Sequence, residues 1–269
     1  MHTPTVLQAF ILGILQGLAE FLPISSSAHL SLAPWVFGWE APGLAFDVSL
    51  HLGTLIALLW FFRADWVALT RAGWRIVTTR RIADDDARRV VQLVIATIPG
   101  ALAGLLLKDL AETVFRTPAL TASALIVMGA LLWIVDATAS RVRALGSVGY
   151  RDALLIGLAQ CVALVPGVSR SGSTITAGRA LGFDRASAAR FSFLMSMPIT
   201  AAAAVIKVPE AVRDGISLPL VVGIVTAAIS SAIAISALLK FLQRYSFAVF
   251  ALYRFVLGAA ILALVAARG

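Results

Sequence analysis

PISSSAHL at residues 23–30 and PGVSRSGST at residues 166–174 interrupt long apolar stretches with dense clusters of polar side chains. The rest of the chain is strongly apolar, since hydrophobic residues make up 60% of its 269 residues and charged residues 13%. A soluble domain carries roughly a quarter charged residues because its surface must be hydrated. The composition therefore excludes an ordinary soluble domain and predicts an all-α polytopic membrane protein, with its function in the two polar loops.

Six apolar stretches are long enough to cross the roughly 30 Å hydrocarbon core as helices, which takes about 20 residues. They are residues 44–62, 90–107, 118–135, 187–206, 217–239 and 247–266. Two further apolar segments, residues 5–22 and 152–165, run into the polar loops and are interrupted too early to be ordinary crossings. Unpaired backbone at membrane depth must be buried in protein or line an aqueous cavity. We therefore expect each loop to turn back as a re-entrant helical hairpin.

The positive charge of the chain, +8 in total, lies in short connections between the apolar stretches rather than on one folded face. This distribution argues against a nucleic-acid partner and sets the orientation, because arginine and lysine collect on the cytoplasmic side. The basic residues that we assign to the cytoplasm are Arg63, Arg71, Arg75, Arg80, Arg81, Arg88, Arg89, Arg141, Arg143, Lys240 and Arg244. Residues 108–117 and 207–216 balance their basic and acidic side chains and are expected on the outer side.

The two halves of the chain resemble each other weakly but in register. GLAE at residues 17–20 corresponds to GLAQ at residues 157–160, and each is followed by a proline, a serine-rich loop and a helix that begins with phenylalanine. Three expected crossings separate the two loops, and an odd number places the halves in opposite orientations, as in many transporters. We predict a single membrane domain over residues 1–269, formed by an inverted repeat of residues 1–136 and residues 150–269.

The loops have the chemistry of an anion site. A helix that restarts after a serine-rich turn offers free backbone amides and the positive end of its dipole, and Arg170 adds a guanidinium that suits phosphate. Phosphate or diphosphate is the expected guest. The expected phosphate-binding residues are Gln16, Ser25, Ser27, Ser169, Ser171, Gly172, Ser173 and Thr174.

The first loop also carries groups that could react with such a guest. Gln16 and Glu20 are four residues apart and share a helix face, and His29 follows the serine cluster. A carboxylate, a histidine and a hydroxyl are the groups of proton transfer and nucleophilic displacement. Asp47 and His51, one turn apart on the next helix, are either neighbours of this site or a satisfied polar pair. The candidate reacting groups are therefore Glu20, His29 and a hydroxyl of the cluster Ser25–Ser27, with the guanidinium of Arg170 to hold the phosphate.

At these residues the chain resembles the bacterial undecaprenyl-diphosphate phosphatases of the bacitracin-resistance type. The matching segments are QGLAEFLPISSSAH at residues 16–29, AFDVSLHLGT at residues 45–54, PGVSRSGST at residues 166–174 and RFSFLMSMP at residues 190–198. The resemblance implies hydrolysis of undecaprenyl diphosphate to undecaprenyl phosphate and inorganic phosphate at the outer face of the bacterial inner membrane. That reaction recycles the lipid carrier for peptidoglycan and cell-wall synthesis and confers bacitracin resistance. The family fold, six crossings with two re-entrant hairpins, agrees with the pattern above.

The resemblance also implies roles for single residues. Glu20 is the essential carboxylate, Ser26 the nucleophile, and His29 the proton-transfer residue. Ser27 stands beside the nucleophile, and Ser169 and Arg170 hold the phosphate. Gln16 occupies a position at which many members carry glutamate. A divalent cation, Mg²⁺ or Ca²⁺, is implied as a cofactor, with Glu20 as a possible ligand, and no organic cofactor is expected.

Several alternatives stay open at the level of sequence. The attacking group is the Ser26 hydroxyl or a water molecule, and either His29 or Glu20 accepts its proton. The same site would also suit a flippase or transporter of a phosphate-bearing lipid or anion, although a transporter needs no proton-transfer groups. The expected partners are the polyprenyl diphosphate substrate and membrane lipids, and the sequence does not decide whether the chain forms a homo-oligomer.

Overall fold

The computed structural model describes residues 3–107, 117–213 and 215–268, apart from the side chains of residue 44 and residues 206–213. Within these ranges the chain forms eleven α-helices and no strand, which confirms the all-α prediction. The helices are α1 Val6–Phe21, α2 Ser26–Phe37, α3 Leu44–Phe61, α4 Arg63–Thr79, α5 Asp85–Leu106, α6 Pro118–Thr138, α7 Tyr150–Cys161, α8 Arg170–Ala180, α9 Arg185–Arg213, α10 Leu218–Phe241 and α11 Ala248–Arg268. Short 3-10 turns lie at Leu145–Ser147 and Val162–Leu164.

Five of the described helices are long and apolar enough to cross a membrane, namely α5, α6, α9 over residues 185–205, α10 and α11. A sixth span arises if α3 and α4, which meet at 85°, count as one broken span. The chain is therefore a multi-pass membrane protein. Helix α9 continues to Arg213, past the expected end at residue 206. Most of the expected outer connections, residues 108–117 and 207–216, lies outside the described part of the chain, namely residues 108–116, residue 214 and the side chains of residues 207–213.

Helix α4 occupies part of the segment that the sequence predicts only as a basic connection. Its buried residues, Leu69 and Ala72, share one face, which packs toward α5, while Arg71 and Arg75 are exposed on the other. This is the 3.6-residue periodicity of an amphipathic helix. The charge pattern alone hid that periodicity, because the arginines alternate with the apolar residues of the inner face.

The two polar loops enter their following helices through the same unusual backbone conformation. Ser25 has a φ of 75° before α2, and Ser169 has a φ of 72° before α8. Each serine caps its helix: Ser25 Oγ accepts from the Ala28 amide at 3.4 Å, and Ser169 Oγ accepts from the Gly172 amide at 3.1 Å. Positive φ is uncommon and costly for a residue with a Cβ. Both loops are therefore held in a defined shape.

A helix of each half packs against a helix of the other half. Helix α1 packs mainly against α10, and its counterpart α7 packs against α5. Each contact includes a close approach at a glycine of the repeated GLAE/GLAQ segment. A Cβ on Gly17 would lie 1.9 Å from Ser230 Oγ, and one on Gly157 would lie 2.5 Å from the Ala96 carbonyl oxygen. Such close approach of helix backbones requires small residues.

One hydrophobic core cluster contains residues from both halves of the chain. Phe21 at the end of α1 packs edge-on against Phe193 of α9, with ring centroids 5.2 Å apart, and Phe62 packs on the same ring. At the end of α8, Arg179 is fully buried and donates to the carboxylate of Asp136 on α6. The C-terminal ends of α1 and α8 are thus fixed to the surrounding helices.

Candidate active site

A cavity of about 230 Å³ lies where the two polar loops meet. It is lined by residues of both loops and by α3 and α9. The lining residues are Glu20, Ser26, Ser27, Val48, His51, Ala163, Ser169, Arg170, Ile199, Thr200 and Ala203. The tertiary structure therefore brings the end of α1 and the start of α2, from the first half, together with the start of α8 from the second.

The carboxylate of Glu20 is the centre of this cavity. Its Oε2 accepts hydrogen bonds from Ser26 Oγ at 2.6 Å and from Gln16 Nε2 at 3.0 Å, and its Oε1 accepts from a guanidinium nitrogen of Arg170. The side chains of Glu20 and Arg170 are 7% and 17% exposed. The predicted shared helix face of Gln16 and Glu20 is confirmed, and the Glu20–Arg170 ion pair joins the two halves.

His51 of α3 belongs to this cluster. Its Nε2 lies 3.5 Å from Glu20 Oε2, and its Nδ1 lies 2.9 Å from the Asp47 carbonyl oxygen. Because a carbonyl oxygen only accepts, Nδ1 must carry a hydrogen, and this leaves Nε2 to exchange a proton on the side of Glu20. Of the two interpretations that the sequence left open, the structure supports His51 as a neighbour of the site.

His29 lies elsewhere, although the sequence predicts it among the catalytic residues. Its Nδ1 donates to the Ser25 carbonyl oxygen at 2.7 Å, and its Nε2 is 2.6 Å from the hydroxyl of Tyr253 on α11. The two rings stack with centroids 5.7 Å apart. Because α2 restarts at Ser26, His29 sits on the face of that helix directed to α11. The structure therefore does not bring His29 to the hydroxyl of Ser26.

Two of the expected phosphate-binding residues do not line the cavity, because their hydroxyls bond the backbone at the start of α8. Thr174 is fully buried and donates to the Arg170 carbonyl oxygen at 2.7 Å. Ser173 donates to the same oxygen at 3.1 Å. The amide of Gly172 is used by the Ser169 cap. Of this loop, Ser169 and Arg170 remain at the cavity surface.

Ser25 and Ser171 connect the two loops to each other. The buried Ser25 Oγ accepts from the Gly167 amide at 3.1 Å, and Ser171 Oγ donates to the Leu22 carbonyl oxygen at 3.2 Å. In the first loop, Ser26 and Ser27 line the cavity. The sequence cannot separate the lining serines from the structural ones, because all of them lie in the same short polar runs.

Arg254 of α11 was not singled out from the sequence. It is fully buried and donates to the carbonyl oxygens of Pro23 at 2.9 Å, Gly167 at 2.6 Å, Val168 at 3.0 Å and Leu125 at 3.0 Å. This one guanidinium therefore fixes the backbone of both polar loops. The sequence does contain a signal for Arg254, namely an arginine within a long apolar stretch. An ionisable residue at membrane depth is costly and marks a functional position.

The oxygen atoms around Glu20 fit a hard divalent cation in part. Gln16 Oε1 is buried without a hydrogen-bond partner among the described residues, and it belongs to the side chain that donates to Glu20. Within the same residues, no group of three or more histidine, cysteine, aspartate or glutamate side chains surrounds a common point. Mg²⁺ is commonly held by one or two carboxylates together with substrate phosphates and water. Glu20 supplies one such carboxylate, and Gln16 adds an amide oxygen.

Comparison with known proteins gives a consistent result. The family model described as "Bacitracin resistance protein BacA" matches residues 9–260. A protein of Gemmatimonas aurantiaca named undecaprenyl-diphosphatase is 59% identical over 265 residues, covering 98% of this chain and 99% of that protein. Proteins with the same name from Pelotomaculum thermopropionicum and Moorella thermoacetica are 50% and 47% identical. They cover 98% and 96% of this chain, and 98% and 97% of their own length.

Proposed function

Because the chain belongs to the bacitracin resistance protein BacA family, we propose that it is an integral membrane phosphatase that hydrolyses undecaprenyl diphosphate to undecaprenyl phosphate and inorganic phosphate. The observation that carries this proposal is the contact of Ser26 Oγ with Glu20 Oε2 at 2.6 Å beside the guanidinium of Arg170. A hydroxyl, a carboxylate that accepts its proton and a fixed positive charge are the groups that a phosphoryl transfer needs. The protein is thus a hydrolase of cell-wall biogenesis that contributes to bacitracin resistance.

In the proposed reaction, Ser26 Oγ attacks the terminal phosphorus and Glu20 accepts the hydroxyl proton. The bond from this phosphorus to the bridging oxygen breaks, and undecaprenyl phosphate leaves. Water then hydrolyses the phosphoserine and releases inorganic phosphate. The 2.6 Å hydrogen bond supports Glu20 as the base in preference to His29, whose two ring nitrogens bond elsewhere. A water molecule activated by the same carboxylate is the competing nucleophile.

Arg170 and His51 have separate tasks in this proposal. Arg170 lines the cavity and uses one guanidinium nitrogen for Glu20, so its other N–H groups are available to the phosphate oxygens that gain charge in the transition state. His51 Nε2, at 3.5 Å from Glu20, is placed to exchange a proton with that carboxylate. The exposed Ser27 and the cap residue Ser169 provide further contacts at the cavity surface.

A divalent cation is part of the proposal. Gln16 Oε1 and Glu20 would hold it from the protein side, since they are the oxygen donors at this point. When bound, the cation would neutralise charge on the diphosphate. Every proton transfer described above uses only Glu20, Ser26 and His51.

We further propose six crossings and two re-entrant hairpins in one domain, related as an inverted repeat. The repeated positive φ at Ser25 and Ser169, the matched helix contacts at Gly17 and Gly157, and the exchanged packing of α1 on α10 and α7 on α5 support this arrangement. The cytoplasmic placement of the basic residues would direct the cavity to the outer side of the bacterial inner membrane. Membrane lipids are its surroundings.

The phosphatase and the alternative flippase or transporter differ in one measurement. Purified protein in detergent is mixed with undecaprenyl diphosphate, and released inorganic phosphate is quantified with and without Mg²⁺ or Ca²⁺. A phosphatase releases phosphate without any membrane compartment, which transport cannot do. If no phosphate appears with any cation, the proposed activity is rejected. The names of the relatives, and the hydroxyl–carboxylate contact that transport does not need, favour hydrolysis.

A further inference from the structure

A second polar cavity, of about 360 Å³, lies away from the candidate active site. It is enclosed by α4, the first turns of α5, the 3-10 turn before α7 and the first half of α9. The lining residues are Ala64, Asp65, Ala68, Leu69, Asp86, Arg89, Leu145, Arg190 and Leu194. Arg190 on this cavity and Thr200 on the active-site cavity are separated on α9 by roughly 15 Å, at 1.5 Å per residue. The two cavities are therefore distinct.

Arg89 gives this cavity an unused hydrogen-bond donor. Its Nη2 donates to the Leu145 carbonyl oxygen at 2.9 Å, but its Nη1 is buried without a partner among the residues that the structure describes. Arg190, on the same cavity, pairs with Asp65 at 2.8 Å, and the exposed Asp86 lines the rim. A buried guanidinium donor without a partner is costly, and an anionic oxygen is its strongest partner. An anionic oxygen that enters the cavity would give Arg89 Nη1 a hydrogen-bond partner.

An apolar groove, also of about 360 Å³, shares the lining residue Leu69 with the polar cavity. It follows α5 from Val90 to Ala101, roughly 17 Å of helix at 1.5 Å per residue. The groove is lined by Trp66, Leu69, Thr70, Val90, Leu93, Val94, Thr97, Ile98, Ala101 and Pro198. Val94 and Ile98 are about half exposed, so the groove is open along the side of a helix that has the length and composition of a membrane span.

Trp66, which lines the apolar groove, supplies a second unused donor. Its indole Nε1 is buried and has no hydrogen-bond partner in the described part of the chain. An indole N–H is a donor only, and tryptophan is typical of the level at which lipid headgroups meet acyl chains. The ester oxygens of a glycerophospholipid lie at that level, between the phosphate and the chains.

We propose that the polar cavity and the groove together form one binding site for an anionic phospholipid. The phosphate binds Arg89 beside Arg190, an ester oxygen accepts from Trp66, and one acyl chain lies in the groove along α5. Three independent observations support this assignment: the unpartnered Arg89 Nη1, the unpartnered Trp66 Nε1 and the wall residue Leu69 that the two cavities share. Free phosphate would satisfy only the first, whereas a lipid satisfies all three.

The test uses the full chain in phosphatidylcholine vesicles that contain rising fractions of phosphatidylglycerol with brominated acyl chains. Bromine quenches nearby tryptophan, and the Trp66 signal is isolated as the difference between the chain and a Trp66→Phe variant, since the chain has six tryptophans. We expect saturable quenching of Trp66. Arg89→Ala should weaken the apparent affinity about tenfold, the value of one lost charge-assisted hydrogen bond. Ala101→Phe should lower the quenching by filling the groove.

Arg88→Ala is the matched control. Arg88 is the neighbouring arginine, its side chain is 54% exposed, and it pairs with Asp85 instead of lining either cavity. It should leave the quenching unchanged. Phosphate release by Arg89→Ala and Ala101→Phe should stay near that of the unaltered chain, which shows that both variants fold.

Four results would overturn the proposal. The first is quenching that rises linearly with the lipid fraction, and the second is equal quenching by brominated phosphatidylcholine. The third is displacement of the lipid by millimolar inorganic phosphate, which would identify a site for a free anion. Unchanged affinity in Arg89→Ala would equally remove Arg89 from the site.

Discussion

Ser26 Oγ donates a 2.6 Å hydrogen bond to Glu20 Oε2 across the turn between α1 and α2. The same carboxylate is bound by Arg170 from the other half of the chain and lies 3.5 Å from His51 Nε2. Glu20 therefore contacts α2, the next helix along the chain, and two helices that are distant in sequence, α3 and α8. The candidate chemistry depends on this carboxylate and on the turn that directs the Ser26 hydroxyl to it.

Ser26→Ala should lower kcat for phosphate release by on the order of 10² or more, because it removes the attacking hydroxyl. Ser27→Ala is the control, since Ser27 also lines the cavity but bonds Ser25 Oγ at 3.1 Å instead of Glu20. It should change kcat only a few-fold. The measurement is steady-state phosphate release with both purified variants. Near-native turnover in Ser26→Ala would identify water as the nucleophile.

Arg170→Ala should also lower kcat by on the order of 10², since a fixed donor to the transition-state oxygens is lost. Arg170→Lys should recover part of this loss, because lysine keeps the charge but not the planar fork. Arg151→Ala, at an exposed position on α7, should have little effect. Single-turnover rates separate the chemical step from product release. A change of only a few-fold in Arg170→Ala would exclude a role in the transition state.

His51→Gln and His29→Gln should have different effects. His51→Gln should lower kcat at least about tenfold, because it removes the group that exchanges a proton with Glu20. His29→Gln should mainly lower Tm, since it breaks the contact with Tyr253. Tyr253→Phe should lower Tm in the same direction, and a double-mutant cycle should show that the two changes are coupled. Abolished turnover in His29→Gln at unchanged Tm would instead support the proton-transfer role that the sequence predicts for His29.

Arg254→Met should reduce the free energy of unfolding by about 3 kcal/mol or more, because several buried carbonyl oxygens lose their donor. Leu125, Pro23, Gly167 and Val168 provide those oxygens. Thermal unfolding in detergent measures the change, and the exposed Arg244→Met serves as the control. Lost turnover at unchanged Tm would instead indicate that Arg254 contacts the substrate.

Acidification should weaken the connection before α7. Burial acts to raise the pKa of the Asp152 carboxyl, but hydrogen bonds from Arg143 and the Gly149 amide outweigh it and hold that pKa below the usual value. The stabilisation is therefore fully present above the unfolded pKa of about 4 and is lost as the pH falls through the lower folded value. Tm measured against pH in detergent should show this loss, and Asp152→Asn should remove that part of the pH dependence. An equal acid slope in the variant would contradict the assignment.

Much of the fold follows from the sequence. The long apolar stretches predict the helices that became α3, α5, α6, α9, α10 and α11, because a helix in lipid satisfies its own backbone hydrogen bonds. Helix α4 escaped prediction because its arginines obscured an amphipathic face. The end of α9 also lay beyond the expected boundary, because the helix continues through Lys207 and Pro209 to Arg213.

The sequence by itself determined the chemistry of the candidate site: a carboxylate at Glu20, hydroxyls after a proline, and an arginine at the start of the second restarted helix. The tertiary structure alone decided which of these groups meet. It placed His51 beside Glu20 and His29 against Tyr253, and it used Arg254 to hold both loops. The physical reason is that helix periodicity sets the face of a residue locally, whereas the partner of that face depends on how distant helices pack.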